Sequence, residues 1–160
     1  VCTDGAEDVS ARSDMAYAAL MSGIVLANAG LGVVHGLASP IGGYFPVPHG
    51  VVCGTLMGAA VTMNVEKLLA GPGSKHPALV KYGRVGALLA GTAPIDPVPD
   101  TQRLIEYLDL WTEEVLTIPR LGPYGVKPED IDRIVQGAEN KNNPVALTQE
   151  DMAALVRQRL

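Results

Sequence analysis

Apolar residues recur along most of the chain at the three- and four-residue spacing of a helix, and no stretch of four to eight residues alternates apolar and polar side chains as a half-buried strand does. The uncharged stretch from Met15 to Val34 predicts a helix that is buried on nearly all sides. Asp8 or Ser10 would cap its start, and its end is expected between Asn28 and Gly30. The same stretch has the length of a membrane span, but its glycines, Ser22 and the lack of basic or aromatic flanks favour a protein core.

The rest of the chain shows further helical patterns, separated by short segments rich in glycine and proline. These patterns indicate an all-α, bundle-like domain of about seven helices. The predicted ranges run from Pro48 toward Val65 or Leu69, from Pro77 to Leu89, from Pro99 to Leu116, from Pro128 to Glu139, and onward from Thr148 with Asp151 in a capping box.

The helix predicted from Pro99 to Leu116 is expected to begin with Asp100 as its cap. Its apolar side chains recur at helical spacing and are expected to face inward. They are Leu104, Ile105, Leu108, Trp111 and Val115. The next helix is expected to bury Ile131, Ile134 and Val135 in the same way.

Residues 36–48 read Gly-Leu-Ala-Ser-Pro-Ile-Gly-Gly-Tyr-Phe-Pro-Val-Pro, and three prolines and three glycines predict a shaped loop through which no helix runs. Two of the chain's three histidines, His35 and His49, stand at the two ends of this segment. On one straight helix their 14-residue separation would place them about 21 Å apart. A chain that turns back here would instead bring both imidazoles to one metal site between two helices.

Taken alone, such a histidine pair more often consists of two buried side chains that hydrogen-bond to backbone near helix ends. Two imidazoles are also an incomplete shell, because a catalytic metal usually has three or more protein ligands. Cys53, four residues after His49, is a candidate third ligand, although close packing against a neighbouring helix is the favoured alternative. His76 lies in a loop-like stretch and is expected at the surface. Tyr44 and Phe45 either line a substrate cleft or anchor the loop by packing.

Composition narrows the classes of function. The 160 residues suffice for one domain, and a 48% hydrophobic content makes disorder unfavourable. The net charge of −5, with no Lys or Arg cluster, argues against a nucleic-acid partner. Only two cysteines occur, Cys2 and Cys53, so we expect a reducing cytoplasm rather than a disulfide scaffold. Because the sequence opens at Val1, with neither an initiator Met nor a signal peptide, we expect a fragment of a longer chain.

Residues 28–50 read Asn-Ala-Gly-Leu-Gly-Val-Val-His-Gly-Leu-Ala-Ser-Pro-Ile-Gly-Gly-Tyr-Phe-Pro-Val-Pro-His-Gly. This run closely resembles the signature of the iron-containing alcohol dehydrogenase family, in which two metal-ligand histidines flank a proline and glycine loop that ends in Pro-His-Gly. The similarity outside it is looser. Residues 11–28 resemble the family's long helix before the motif, and Asn143-Pro144 and residues 147–151 resemble its late Asn-Pro and Leu-Thr-x-Glu-Asp segments.

The resemblance implies a two-domain enzyme, in which an N-terminal nucleotide-binding domain and a C-terminal helical domain meet around a cleft. Residues 1–160 would form a single helical metal-binding domain, incomplete because the N-terminal domain is absent. By the same resemblance, His35 and His49 are metal ligands, and an Asp and a His four residues apart on an earlier helix complete the shell. No Asp-x-x-x-His pair and no glycine-rich cofactor segment occur in this chain.

Ser39 stands where many family members carry a further His near the nicotinamide. The resemblance therefore implies a cofactor-facing position for Ser39, but a serine cannot take up a proton as an imidazole can. No residue of the chain is predicted to be catalytic.

The function that the resemblance implies is the oxidation of alcohols or reduction of aldehydes by hydride transfer with NAD or NADP. Iron(II) is the implied metal, and zinc stays open because imidazole binds it at least as well. The expected partners are a small alcohol or aldehyde, the N-terminal domain and a second copy in a homodimer, with neither nucleic acid nor membrane. Maleylacetate reductases and hydroxyacid–oxoacid transhydrogenases share the motif, and a non-catalytic helical module is a further alternative. The isolated chain is expected to be inactive, because half of the metal shell and the cofactor platform are missing.

Overall fold

The computed structural model describes residues 6–160, and this part of the chain forms seven α-helices and no strand. This confirms the predicted all-α class and the number of helices. By backbone contacts the chain divides into two compact units, one ending at Leu31 and one comprising Gly32–Leu160. The helices are α1 (Val9–Ala29), α2 (Val33–Tyr44), α3 (His49–Ala70), α4 (Pro77–Leu89), α5 (Pro97–Leu110), α6 (Ile131–Gln136) and α7 (Gln149–Gln158).

Helix α1 begins and ends where the sequence predicts. The Asp8 carboxylate accepts hydrogen bonds from the backbone N–H groups of Ser10 and Ala11, and Gly30 ends the helix with a φ of 74°. The predicted burial of this helix is wrong, because no residue of α1 is buried and Tyr17 is 66% exposed. Its apolar residues surround the helix without forming one stripe, so the pattern does not identify a surface that would cover them. Within residues 6–160, no single helix is long and apolar enough to cross a bilayer, and only α1 and α2 taken together as a broken pair reach that threshold.

Helix α2 occupies residues 33–44, most of the segment that was predicted to be a loop. Its Pro40 removes one backbone hydrogen bond, since proline has no N–H to donate to the carbonyl one turn earlier. The loop prediction is wrong because Val33, Leu37 and Ile41 recur every four residues and are all buried. Their burial contributes about 5 to 9 kcal/mol, which exceeds the roughly 3 kcal/mol that an interior proline costs.

The main hydrophobic core of the second unit lies among α2, α3, α6 and α7. Helix α3 begins at His49, one residue later than predicted. Pro48, with φ −57° and ψ 135°, is its N-cap residue. The helix packs against α2, α5 and α7. The fully buried members of this core include Leu37, Ile41, Val52, Leu56, Leu121, Ile134, Leu155 and Val156.

Helices α4 and α5 form a closely packed pair. At Gly86 a β-carbon would lie 1.9 Å from the carbonyl oxygen of Asp100, so the two backbones touch here. The prediction that Asp100 caps α5 is wrong: Asp96 caps it, by accepting a hydrogen bond from the N–H of Val98, and α5 begins at Pro97. Asp100 is buried and accepts a hydrogen bond from the N–H of Ile95. From the sequence alone, an aspartate at this position fits this role and a capping role equally well.

The inward stripe predicted along α5 ends before Trp111. Leu104 is buried, but Trp111 is 52% exposed and Val115 is 45% exposed, so their predicted inward orientation is wrong. Residues Trp111–Val115 form a π-helical turn, in which the N–H of Leu116 donates to the carbonyl of Trp111 five residues earlier. A wider turn rotates the following side chains off the stripe that a regular α-helix would continue.

The two C-terminal helices complete the core. Ile131, Ile134 and Val135 are buried on α6 as predicted. The predicted range from Pro128 to Glu139 is too long at both ends, since Pro128–Asp130 form a 3₁₀ turn and α6 ends at Gln136, before Gly137. Helix α7 opens with the predicted capping box, in which the Thr148 hydroxyl and the carboxylate of Asp151 exchange hydrogen bonds with each other's backbone N–H groups at 3.1 and 2.9 Å.

Candidate metal centre

His35 and His49 lie close together in the second unit. Their ring centroids are 5.4 Å apart, and the ring planes are inclined by 50°. His35 lies in the first turn of α2 and is half-buried, whereas His49 is the first residue of α3 and is exposed. One ring nitrogen from each histidine and the Sγ of Cys53 all lie within 4.8 Å of one another. The chain therefore turns back between the two histidines, although along a different path from the predicted loop.

The path between the two histidines is a helix followed by an extended return. From His35 to Tyr44, helix α2 advances about 13.5 Å at 1.5 Å per residue. The link that follows is extended, with φ −132° and ψ 149° at Phe45 and φ −57° and ψ 135° at Pro48. Five extended residue steps span up to about 17 Å, which is enough to return to the start of α2. The prolines of the link favour this geometry, because each fixes its own φ and disfavours helix at the residue before it.

Cys53 lies one helical turn after His49, and its Sγ is 3.4 Å from Nε2 of His49. In the tautomer that leaves Nε2 unprotonated, the thiol is a weak donor to this nitrogen. Desolvation by partial burial raises the pKa of the Cys53 thiol. Cys53 packs against the core, as the favoured alternative predicts, but its sulfur also contacts His49.

The three side chains fit a divalent transition-metal ion. Imidazole nitrogen and thiolate sulfur are donors that such ions prefer, whereas calcium and magnesium require oxygen. Bond lengths of about 2.05 Å to nitrogen and 2.3 Å to sulfur place two nitrogens about 3.4 Å apart, and nitrogen and sulfur about 3.5 Å apart, in a tetrahedral zinc site. The Sγ to Nε2 distance of 3.4 Å matches, and the other separations, at most 4.8 Å, close with side-chain movements of about 1 Å.

Residues 139–143 hold the start of α2, and with it His35. The Oδ1 of Asn143 accepts a hydrogen bond from the N–H of Val33 at 3.3 Å, which caps the first turn. At Gly36 a β-carbon would lie 1.6 Å from the carbonyl oxygen of Glu139, so only glycine fits. In the sequence, Asn143 stands out only through the family resemblance. An Asn-Pro dipeptide predicts a turn, but it does not predict the hydrogen bond to Val33, 110 residues away.

Two other residues singled out from the sequence lie outside this cluster. Ser39 is exposed on α2, one helical turn beyond His35. His76 was predicted at the surface, but it is half-buried and caps α4, because its Nδ1 accepts a hydrogen bond from the N–H of Ala78 at 3.3 Å. The sequence signal for this cap was Pro77, which is favoured in the first turn of a helix.

Tyr44 and Phe45 pack against Arg133 at the end of α2. The guanidinium carbon of Arg133 lies 4.9 Å from the centroid of the Tyr44 ring and 5.2 Å from that of Phe45. The two rings meet edge to face at 6.5 Å. These contacts favour the packing alternative, since a cation over two aromatic faces anchors the turn.

Comparison with known proteins gives a consistent set of relatives. Alcohol dehydrogenase 4 of Saccharomyces cerevisiae is 32% identical, with 94% of this chain and 37% of that protein covered. Lactaldehyde reductase of Escherichia coli is 28% identical, with 94% and 38% covered. A solved archaeal halo-thermophilic alcohol dehydrogenase from a Red Sea brine pool superposes with a TM-score of 0.83 at 25% identity, over 96% of this chain and 39% of that one. The structure of an alcohol dehydrogenase from Oenococcus oeni gives a TM-score of 0.77 at 26% identity, over 98% and 40%.

The chain spans about two fifths of the length of these relatives. The model of the Fe-containing alcohol dehydrogenase family, C-terminal, matches residues 2–160. This match covers nearly the whole sequence and includes the two histidines and the link between them. The chain therefore belongs to the iron-containing alcohol dehydrogenase family and corresponds to its C-terminal region.

Proposed function

We propose that this chain is the metal-holding part of a metal-dependent, NAD(P)-linked dehydrogenase that oxidises alcohols or reduces aldehydes. The observation that carries the proposal is the approach of His35 and His49, whose ring centroids are 5.4 Å apart although 14 residues separate them. The names of the relatives agree with it: one is an alcohol dehydrogenase, one a lactaldehyde reductase, and one, 26% identical, the NAD-dependent methanol dehydrogenase of Bacillus methanolicus.

His35 and His49 are the proposed protein ligands. A divalent ion held there would supply a Lewis acid that polarises the oxygen of the alcohol or aldehyde. The family's name implies iron, which we propose as iron(II), and zinc is equally compatible with imidazole nitrogen. The fixed start of α2 holds His35 in place, and the exposed position of His49 leaves one side of the site open to a substrate and to further ligands.

Ser39 is the residue of this chain proposed to face the nicotinamide. Its exposed position one turn beyond His35 lets its hydroxyl donate or accept a hydrogen bond on the same side of α2. It cannot serve as a base near neutral pH, so proton transfer falls to water or to groups outside this chain. The nicotinamide itself would carry the hydride and would be bound by a separate nucleotide-binding domain.

The isolated 160-residue chain is proposed to be inactive. Supplied with iron(II) or zinc, NAD or NADP, and short alcohols, it should produce no reduced cofactor above background, because it offers two imidazoles but no glycine-rich cofactor platform. The absorbance of the reduced nicotinamide is the measurement. Turnover above background would show that these residues suffice for the reaction.

The proposed function itself is tested in the full-length protein encoded by the gene. We expect metal analysis to find bound iron or zinc, and we expect alcohols to reduce the nicotinamide. Replacing both histidines, in H35A/H49A, should abolish metal content and turnover while circular dichroism stays unchanged. His76→Asn is the matched control, because asparagine preserves a helix cap and His76 lies outside the cluster. Full turnover by the double variant would overturn the proposal.

A further inference from the structure

Cys53 is a ligand-type side chain that the proposed function leaves unused. It lies on the same face of α3 as His49, and its Sγ is 3.4 Å from Nε2 of that residue. Within residues 6–160, the rings of His35 and His49 form no other hydrogen bond to protein. A half-buried imidazole such as that of His35 normally has a hydrogen-bond partner in the protein, so its lack of one here leaves a ring nitrogen available to a ligand.

Packing alone does not account for this arrangement. Cys53 is half-buried, and a small apolar residue would contact the core equally well. The thiol-to-imidazole hydrogen bond is weak, since sulfur is a poor donor. Three donors from two helices meeting within 4.8 Å are instead the arrangement from which metal sites in helical cores are built.

We propose that Cys53 is the third ligand of a His35–His49–Cys53 site that takes a borderline-soft divalent cation such as zinc in preference to iron(II). The inference rests on the proposed role of the two histidines and adds to it a sulfur ligand. Thiolate sulfur favours zinc and cobalt(II), whereas two imidazoles alone discriminate little among divalent ions. In the parent enzyme that the resemblance implies, the Asp and the His of an earlier helix would bind the same ion, and the sulfur of Cys53 would be an additional ligand.

Coordination forms one metal–sulfur bond and breaks the S–H bond of Cys53, whose proton passes to solvent; no electron is transferred. A cation beside the sulfur deprotonates a thiol even where burial disfavours the thiolate. The site therefore needs no oxidant or reductant, and it forms from residues of this chain alone.

Cobalt(II) added to the 160-residue chain is the probe, because a cobalt–thiolate bond produces a sulfur-to-metal charge-transfer band in the near ultraviolet that imidazole ligands do not give. We expect this band in the unsubstituted chain and in Cys2→Ser, and we expect Cys53→Ser to lose it. Cys2→Ser is the matched control, since Cys2 is the only other cysteine in the sequence and lies outside the residues that the structure describes. Circular dichroism of each variant checks that the fold is kept.

Zinc affinity gives a second readout. Loss of a residue that merely orients a ligand lowers metal affinity about 10- to 100-fold, so loss of a direct ligand should lower zinc affinity by at least about 100-fold in Cys53→Ser. Cobalt binding through visible d–d bands, with no charge-transfer band and an unchanged Cys53→Ser spectrum, would overturn the role of Cys53 and leave the histidine pair intact. No cobalt binding at all would also overturn this inference, because it holds that three ligands of this chain are sufficient to bind the ion.

Discussion

Two polar clusters contact helix α3, and they differ in how their polar atoms are satisfied. At the first turns of α3, His49 and Cys53 meet His35 with a single weak hydrogen bond among them. Further along, Asn64 is 4% exposed and is bonded on both sides of its amide. Its Oδ1 accepts from Nδ2 of Asn143 at 2.6 Å, and its Nδ2 donates to the hydroxyl of Tyr82 at 3.3 Å.

The two clusters of polar side chains have different roles: one stabilises the fold, and the other offers ligand atoms. Buried amides that satisfy one another contribute to stability, because leaving either one unpaired costs a desolvation penalty. Burial raises the pKa of Tyr82, and its hydrogen bond with Asn64 only partly opposes this rise, so the phenol stays neutral as a partner. The ligand-type side chains of the other cluster share only one weak hydrogen bond, so they contribute little to stability and keep ring nitrogens available to an ion. Asn143 links the two regions, since it bonds both Asn64 and the start of α2.

Gly36→Ala should have the largest effect and should affect both regions at once. A β-carbon there would lie 1.6 Å from the carbonyl oxygen of Glu139, so α2 must move away from the segment that contains Asn143. We expect a loss of about 3 kcal/mol or more in the free energy of unfolding, measured by urea denaturation, together with weaker cobalt binding. Gly42→Ala on the same helix is the control, because no atom lies within 4 Å of its β-carbon position and alanine favours helix by about 1 kcal/mol. Equal stability of the two variants would contradict the close approach.

Asn64→Ala should act mainly on the structural cluster, because Asn143 keeps its own hydrogen bond to the start of α2. It leaves the amide of Asn143 and the hydroxyl of Tyr82 without their buried partner, and we expect the free energy of unfolding to fall by about 2 kcal/mol. Glu66→Ala, at an exposed position on the same helix, should change it by less than about 0.5 kcal/mol. Cobalt binding should stay normal wherever Asn64→Ala is folded. A variant that is stable but loses cobalt would show that the two clusters are not independent.

Asp151→Asn should have the smallest effect, and that effect should depend on pH. The hydrogen bond from Lys67, at 2.7 Å, and those from Thr148 hold the pKa of Asp151 below its ordinary value. A depressed pKa in the folded state stabilises the protein above the ordinary aspartate pKa, and this contribution is lost as pH falls through the folded-state value. We therefore expect a loss of about 1 kcal/mol at neutral pH that shrinks in the acidic range, measured by denaturation at several pH values. A difference that grows toward acidic pH would contradict the sign.

The sequence predicts most of the helices because their local signals agree with their packing. Asp8, Pro77 and Thr148 each mark a helix start that the structure confirms. The prediction of helices fails where burial outweighs the local signals. At Pro40, for example, three buried apolar residues stabilise a helix that contains a proline. It also fails at Trp111, where a π-helical turn changes the register and no residue type announces that turn.

The candidate site is predictable only in part. His35 and His49 are found from their flanking motif, and the turn that joins them follows from the prolines of the link. Cys53 is visible as a residue one turn beyond His49, but spacing along α3 gives its face and not the 3.4 Å approach of its sulfur. The support from Asn143 and from the carbonyl of Glu139 depends on contacts between distant segments, which a single sequence does not encode in any local pattern.

The central claim is that His35 and His49 hold one ion together. It is tested most directly by zinc titration of the 160-residue chain and of the single variants His35→Ala and His49→Ala, in competition with a coloured chelator. We predict one zinc per chain, a loss of affinity of at least about 100-fold in each single variant, and an unchanged thermal midpoint without metal for His49→Ala, whose side chain is exposed. A single variant that binds zinc as tightly as the unsubstituted chain would contradict the claim.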